Sequence, residues 1–178
     1  MTKFIVVDVE SDGELLGENS MVCFGAVLLD KEGRLDKTFY GKTKPISDKW
    51  KPEALAVSGF TRKIHETFNE PKQVMLDFES WLKEVCGDSK PILISDNNGY
   101  DASWINYYFH RYLGRNPFGW SSRRIGDLFC GFYNDPYYKW KKHRDNEKYP
   151  HNHNPLSDAL GNASALLWLK EQGFKLFK

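Results

Sequence analysis

The sequence predicts a mixed α/β protein: one five-stranded sheet, its first three strands antiparallel and the others parallel, with helices packed on it. Two observations carry this. The first 43 residues hold three apolar runs separated by short turn-forming stretches, the pattern of an antiparallel meander. Beyond residue 70, segments of helical spacing alternate with short apolar runs, as when strands are joined through helices. No repeat, long linker or low-complexity tract interrupts the 178 residues, so one domain spanning 1–178 is expected.

The first strand is Phe4-Ile5-Val6-Val7-Asp8-Val9-Glu10-Ser11, whose β-branched opening suits a buried strand. Ser11-Asp12-Gly13 through Asn19 forms a loop, and Met21 to Leu29 is the second strand. Asp30-Lys31-Glu32-Gly33 makes the turn into a third strand from Leu35 to Thr43. Short helical turns follow between Pro45 and Pro71. A helix from about Pro71 to Val85 places Val74, Phe78, Trp81, Leu82 and Val85 at helical spacing, and Gly87 stops it. Pro91 to Ser95 is a fourth, buried strand that leads into a helix from about Tyr100 to Leu113. Ile125 to Phe129 is expected as a short fifth strand. The last helix starts at Pro155, capped by Asn154, and runs to about Gln172, where Gly173 ends it.

Composition excludes several classes. Hydrophobic residues make up 40% and charged residues 28%, ordinary for a globular chain, while aromatics reach 15%. A net charge of +1 gives no global pull toward nucleic acid, so any attraction must be local. Cys23, Cys86 and Cys130 are odd in number, widely spaced and without a CxxC pair, which favours reduced thiols over a disulfide or zinc framework. No run has the apolar length of a membrane span, and the N-terminus enters a strand directly, so a soluble, cytoplasmic protein without membrane contact is expected.

The chemistry-bearing residues begin with Asp8 and Glu10. Side chains alternate along a strand, so these two carboxylates share a face while Val9 points to the other. Two buried like charges are costly unless a cation lies between them, so the pair is read either as ligands of a divalent ion or as a strand end that reaches solvent with two hydrated acids. Asp101 opens the helix after the fourth strand, and Asp158 lies in the first turns of the last helix. Helix N-termini favour carboxylates, so the dipole alone is a sufficient reason for either aspartate. If the first and fourth strands are neighbours, all four acids meet at one sheet edge. His153, just before the last helix, could accept a proton there.

Asp8-Val9-Glu10, Asn98-Gly99-Tyr100-Asp101 and His153-Asn154-Pro155-Leu156-Ser157-Asp158 together resemble the three motifs of the DEDDh 3′→5′ exonucleases, the group of proofreading exonucleases, ribonuclease T and oligoribonuclease. Ala56-Val57-Ser58-Gly59-Phe60-Thr61 is similar to the family segment after the third strand, and Asp127 to another recurrent position, so the likeness spans nearly the whole chain. Two departures stand out. Ser11-Asp12 replaces a common Thr-Thr pair, placing an extra acid near the cluster, and Tyr100 replaces the usual Phe. Asn154 occupies the position where a related subgroup carries tyrosine, so the histidine branch fits better.

The resemblance implies a ribonuclease-H-like fold and hydrolysis of single-stranded nucleic acid from its 3′ end to nucleoside 5′-monophosphates, with RNA slightly favoured over DNA. It implies two Mg²⁺ or Mn²⁺ ions held by Asp8, Glu10, Asp101 and Asp158, with Asp8 bridging and His153 as general base. A homodimer is compatible with it. The alternatives are an inactive nucleic-acid-binding domain on the same fold, or a hydrolase of dinucleotides and very short oligonucleotides. The aromatic and basic stretch from Tyr137 to Tyr149 is expected to act as a flap, with Tyr138, Lys139, Trp140, Lys141 and Lys142 contacting substrate by stacking and charge. Leu15, Leu16 or Met21 could wedge the terminal base, whereas Trp50, Trp81, Trp104, Trp120 and Trp168 are expected in the core.

Overall fold

The structure, a computed structural model, describes residues 3–177. Its sheet has the order β3-β2-β1-β4-β5, built from β1 (Lys3–Ser11), β2 (Met21–Leu29), β3 (Thr38–Lys42), β4 (Pro91–Ser95) and β5 (Ser122–Arg124). β1, β2 and β3 pair antiparallel, while β4 runs parallel to β1 and β5 parallel to β4. The helices are α1 (Pro52–Val57), α2 (Arg62–His65), α3 (Pro71–Cys86), α4 (Asn98–Leu113), α5 (Ile125–Tyr133) and α6 (Pro155–Glu171). A 3₁₀ turn covers Trp140–His143. None of these helices is long and apolar enough to cross a membrane.

The alternation in β1 divides the core. Ile5, Val7 and Val9 pack with Phe24, Phe78, Trp104 and Phe109 on the face covered by α3 and α4. Phe4 and Val6 pack with Val27, Ile94, Phe129, Ala163 and Leu166 on the face covered by α5 and α6. Asp8 and Glu10 continue the second file, so the strand's own periodicity turns both acids toward α6. The β1–β2 register shifts between Glu10 and Ser11, an irregularity that bends the strand immediately after the second acid.

Gly25 pairs with Asp8 across the β1–β2 ladder. A Cβ at Gly25 would fall less than 3.0 Å from Leu156 N and Cα and Pro155 O. The missing side chain therefore lets the first turn of α6 rest directly on the sheet, one strand away from Asp8. The small residues Ala159, Ala163 and Ala165, all buried, continue that close contact.

Several expectations are corrected. Ile125 to Phe129 is the start of α5, and the fifth strand lies three residues earlier. Ile125 and Phe129 are both fully buried at a spacing of four, which one helical face satisfies; a five-residue apolar run is too short for its period to decide. β3 is shorter than expected, and α4 begins two residues before Tyr100. Trp120 is 90% exposed, not core: it follows Gly119 in the turn before β5 and stacks on His110. Met21 is fully buried in the α3/α4 face and is unavailable as a wedge.

Candidate active site

The carboxyl ends of the parallel strands β1 and β4 and the N-termini of α4 and α6 meet at one edge of the sheet, the usual place for ligands in open α/β sheets. Carboxylate oxygens of Asp8, Glu10 and Asp158 lie within 4.8 Å of one another. Asp101 reaches the same place from α4: its Oδ1 accepts a hydrogen bond from the Val9 N–H at 3.2 Å, between the two acids of β1. Asp101 and Asp158 are buried, Asp8 and Glu10 half-buried.

α6 is set by local chemistry. Asn154 holds an extended backbone at the N-cap, its side-chain oxygen accepts from Leu156 N–H and Ser157 N–H, and Pro155 occupies the first helical position. His153, immediately before the cap, has φ 59°, a left-handed conformation uncommon for a non-glycine residue. That turn aims the His153 N–H at Asp158 Oδ2 (3.1 Å) and brings its Nδ1 to 3.6 Å from Glu10 Oε1. Backbone strain that surrounding contacts hold in place is characteristic of working sites.

The cluster is electrostatically strained. Burial, then repulsion from Asp101, Asp158 and Glu10, raises the Asp8 carboxyl well above its ordinary value, with Arg144 opposing. Burial, reinforced by Asp158 and Asp101, pushes Glu10 up to about 7. Burial also pushes Asp101 up to about 7, against hydrogen bonds from its surroundings. Carboxyls driven toward the neutral form by burial and by neighbouring acids are a site short of positive charge. Four hard oxygen donors suit Mg²⁺ or Mn²⁺.

The extra acid after β1, Asp12, is committed elsewhere. It accepts the Ser20 N–H at 2.5 Å and pairs with Arg62 at 3.3 Å, closing the loop and tying it to α2. Asp96, directly after β4, forms an ion pair with Lys141 at 2.7 Å.

Two side chains that the sequence reading left out touch Asp158. Arg144 Nη2 donates to Asp158 Oδ1 at 3.0 Å, and His151 Nδ1 lies 2.7 Å from the same oxygen. His151 repeats the His153 chemistry two residues earlier, a signal present in the sequence. Arg144 ends a run of cations that on pattern alone reads as solvated.

The expected flap is largely packed. Trp140 is buried against Phe129 on the α5/α6 face, with only its edge reaching the cleft beside Asp96. Tyr138 stacks between Tyr133 and His143, and the Lys142 ammonium sits 4.7 Å from its ring centroid. Lys139 is exposed, and Lys141 is exposed beside Asp96. Together with Arg124 and Asn97 they line an open cleft of about 620 Å³.

A family model described as the 3′-5′ exoribonuclease Rv2179c-like domain matches residues 3–169. The 3′-5′ DNA exonuclease Cap18 of Escherichia coli is 35% identical over 130 residues, spanning 72% of this chain and 68% of that protein. Among solved structures, the nuclease domain of 3′hExo, a DEDDh family member bound to rAMP, superposes with a TM-score of 0.80 at 19% identity over 98% of this chain and 94% of that one. E. coli Exonuclease I in complex with a dA16 oligonucleotide gives 0.72 at 17% identity, over 96% of this chain and 41% of that one. At such identities these likenesses show the fold, which is ribonuclease-H-like. With the three motifs in order and a family model over nearly its whole length, the chain belongs to the 3′-5′ exoribonuclease Rv2179c-like domain family, within the DEDDh exonuclease superfamily.

Proposed function

We propose that this chain removes nucleotides from the 3′ end of single-stranded nucleic acid, RNA in preference to DNA, releasing nucleoside 5′-monophosphates. The observation that carries the reading is the convergence of Asp8, Glu10 and Asp158 within 4.8 Å, with Asp101 hydrogen-bonded to the backbone between the first two. These four acids would hold two divalent ions, Mg²⁺ or Mn²⁺. Bound there, the ions supply Lewis acidity and neutralise charge on the scissile phosphate.

The chain's own residues do the rest. His153, half-exposed beside Glu10 and the α6 cap, accepts the proton of the attacking water at a ring nitrogen. The α6 cap and the Val9–Asp101 hydrogen bond hold Asp158 and Asp101 in place, so little reorganisation is needed during reaction. Leu15 and Leu16, 53% and 41% exposed in the loop directly after β1, offer apolar surface to the terminal base. Lys139, Lys141 and Arg124, along the cleft beside Asp96, would hold the phosphates of the preceding nucleotides. The exoribonuclease description of the matching family model supports RNA. The name of the E. coli relative, a DNA exonuclease, supports a second reading in which DNA is the substrate.

The test is digestion of 5′-labelled RNA and DNA of equal sequence with Mg²⁺, Mn²⁺ or EDTA, with Asp8→Ala as control. A ladder shortening from the 3′ end, abolished by EDTA and in the variant, is the expected result, and the faster strand decides the substrate. Intact strands under every condition, despite binding, would refute hydrolysis of long strands and leave dinucleotides or an inactive binding domain.

A further inference from the structure

Arg144 is the one buried arginine or lysine among the described residues. Its side chain is 4% exposed against 2% for Asp158, whose Oδ1 it meets at 3.0 Å. The fold makes space for it: a Cβ on Gly161 would stand 2.5 Å from Arg144 Nη2 and 2.8 Å from Nε. The segment that carries it is pinned on both sides. Trp140 is buried against Phe129, the His143 ring lies on Trp168 with centroids 3.5 Å apart, and the Asp145 N–H donates to Ser164 Oγ on α6 at 2.9 Å. A surface ion pair needs none of this. Burying a guanidinium is costly unless its charge is used, and here it contacts Asp158, one of three carboxylates that converge within 4.8 Å.

We propose that Arg144 is a positioning residue, a built-in counter-cation that holds the acid cluster together before ions bind and keeps one oxygen of Asp158 turned away from them, and that the Trp140–Asp145 strap exists to deliver it. This rests on the metal-site reading above. The strap is then part of the site's architecture, with Lys141 on its cleft side. The charge has a distinctive consequence. Arg144 competes with divalent ions for Asp158, so its removal strengthens ion binding even as it loosens the carboxylate on which turnover depends. A purely structural arginine does the opposite, because damage at the site weakens both.

Three proteins decide it: wild type, R144Q, which keeps a hydrogen-bond donor without charge, and R144K, which keeps the charge. Mn²⁺ affinity is read by calorimetry on protein first stripped with EDTA, and kcat and KM on the better strand. The expected result is about tenfold or greater tightening of Mn²⁺ binding in R144Q, with kcat about 10–100-fold lower and KM little changed. R144K returns Mn²⁺ affinity to the wild-type level. Unchanged or weakened Mn²⁺ binding in R144Q overturns the proposal, and so does an R144Q protein that stays unfolded even with Mn²⁺, which would make the arginine structural. Asp8→Ala separates the layers: if it binds Mn²⁺ as wild type does, the metal-site reading fails, whatever Arg144 does.

Discussion

Substituting Gly25 by alanine asks whether the first turn of α6 is seated on the sheet in the way the site requires. Gly25 is outside the left-handed region, so alanine meets no backbone penalty and the effect is steric. The new methyl would lie under 3.0 Å from Leu156 N and Cα and Pro155 O, against 3.4–4 Å for ordinary contact. All three obstacles are backbone atoms of the cap turn, with no side chain that could swing aside. The turn must therefore retreat by roughly 1 Å, carrying Asp158 and the His153 N–H with it. Overpacking of this kind costs about 1–3 kcal/mol, or roughly 2–12 °C in Tm for a chain of this size. A displacement of about 1 Å at reacting groups costs on the order of 10²-fold in rate. The expected outcome for Gly25→Ala is thus a moderate loss of Tm and a far larger loss of single-turnover cleavage of a labelled strand. Cleavage within about threefold of wild type, whatever the Tm, would refute the claim that this close approach sets the geometry of Asp158.

Other outcomes follow from the same geometry. His153→Gln should lower kcat by about 10²–10⁴-fold while leaving Mn²⁺ binding in place; equal loss of both would make His153 a ligand instead of a base. In EDTA, folding stability should fall as pH rises. Glu10 and Asp101 have folded-state values raised to about 7, so their contribution is fully present below the ordinary carboxyl range and lost as pH climbs through about 7. Thermal melts between pH 4.5 and 8 check this, and a flat or rising profile would contradict the buried cluster. Replacing Lys139 and Lys141 together by alanine should weaken strand binding and reduce the salt slope by about 1.4, two phosphates' worth; an unchanged slope removes both from the strand path. Trp140→Ala should cost about 3–5 kcal/mol of stability as a core truncation, and a variant that melts like wild type but has a raised KM would return its ring to the substrate.

Much of the site was legible because it is written in local rules. Alternation alone put Asp8 and Glu10 on one face, and the Asn154-Pro155 cap fixed where α6 begins. Short-range order also gave β2 to the residue, while the neighbouring of β1 and β4, assumed from the type of sheet, is what the structure shows. What escaped depends on contacts between distant segments. Arg144 in a basic run is indistinguishable in pattern from a solvated cation; its burial comes from α6, where Gly161 leaves room for the guanidinium and Asp158 meets it. The same holds for Gly25, whose meaning is a helix 130 residues away. Trp120 failed for the converse reason, since hydrophobicity predicts burial only when some element arrives to cover the side chain.

The cluster links metal binding to folding. Asp8, Glu10 and Asp101 are each raised by burial, and nearby acids add to the shift. The metal-free fold therefore carries repulsion that other parts of the core must offset, and Arg144, the one buried arginine or lysine among the described residues, is placed to relieve it. Any ion that binds the native cluster and not the unfolded chain stabilises the fold by mass action, about 2.7 kcal/mol at a hundred times its Kd. In this chain that stabilisation should be largest near and above neutral pH, where the acids are forced to share negative charge, and should shrink as protons take the place of the ions. The pH at which added Mn²⁺ ceases to raise the Tm therefore measures the strain in the cluster directly, with no substrate present. If the increment is the same at pH 5 and pH 8, the four acids do not act together on bound ions, and the case for a shared metal site fails with them.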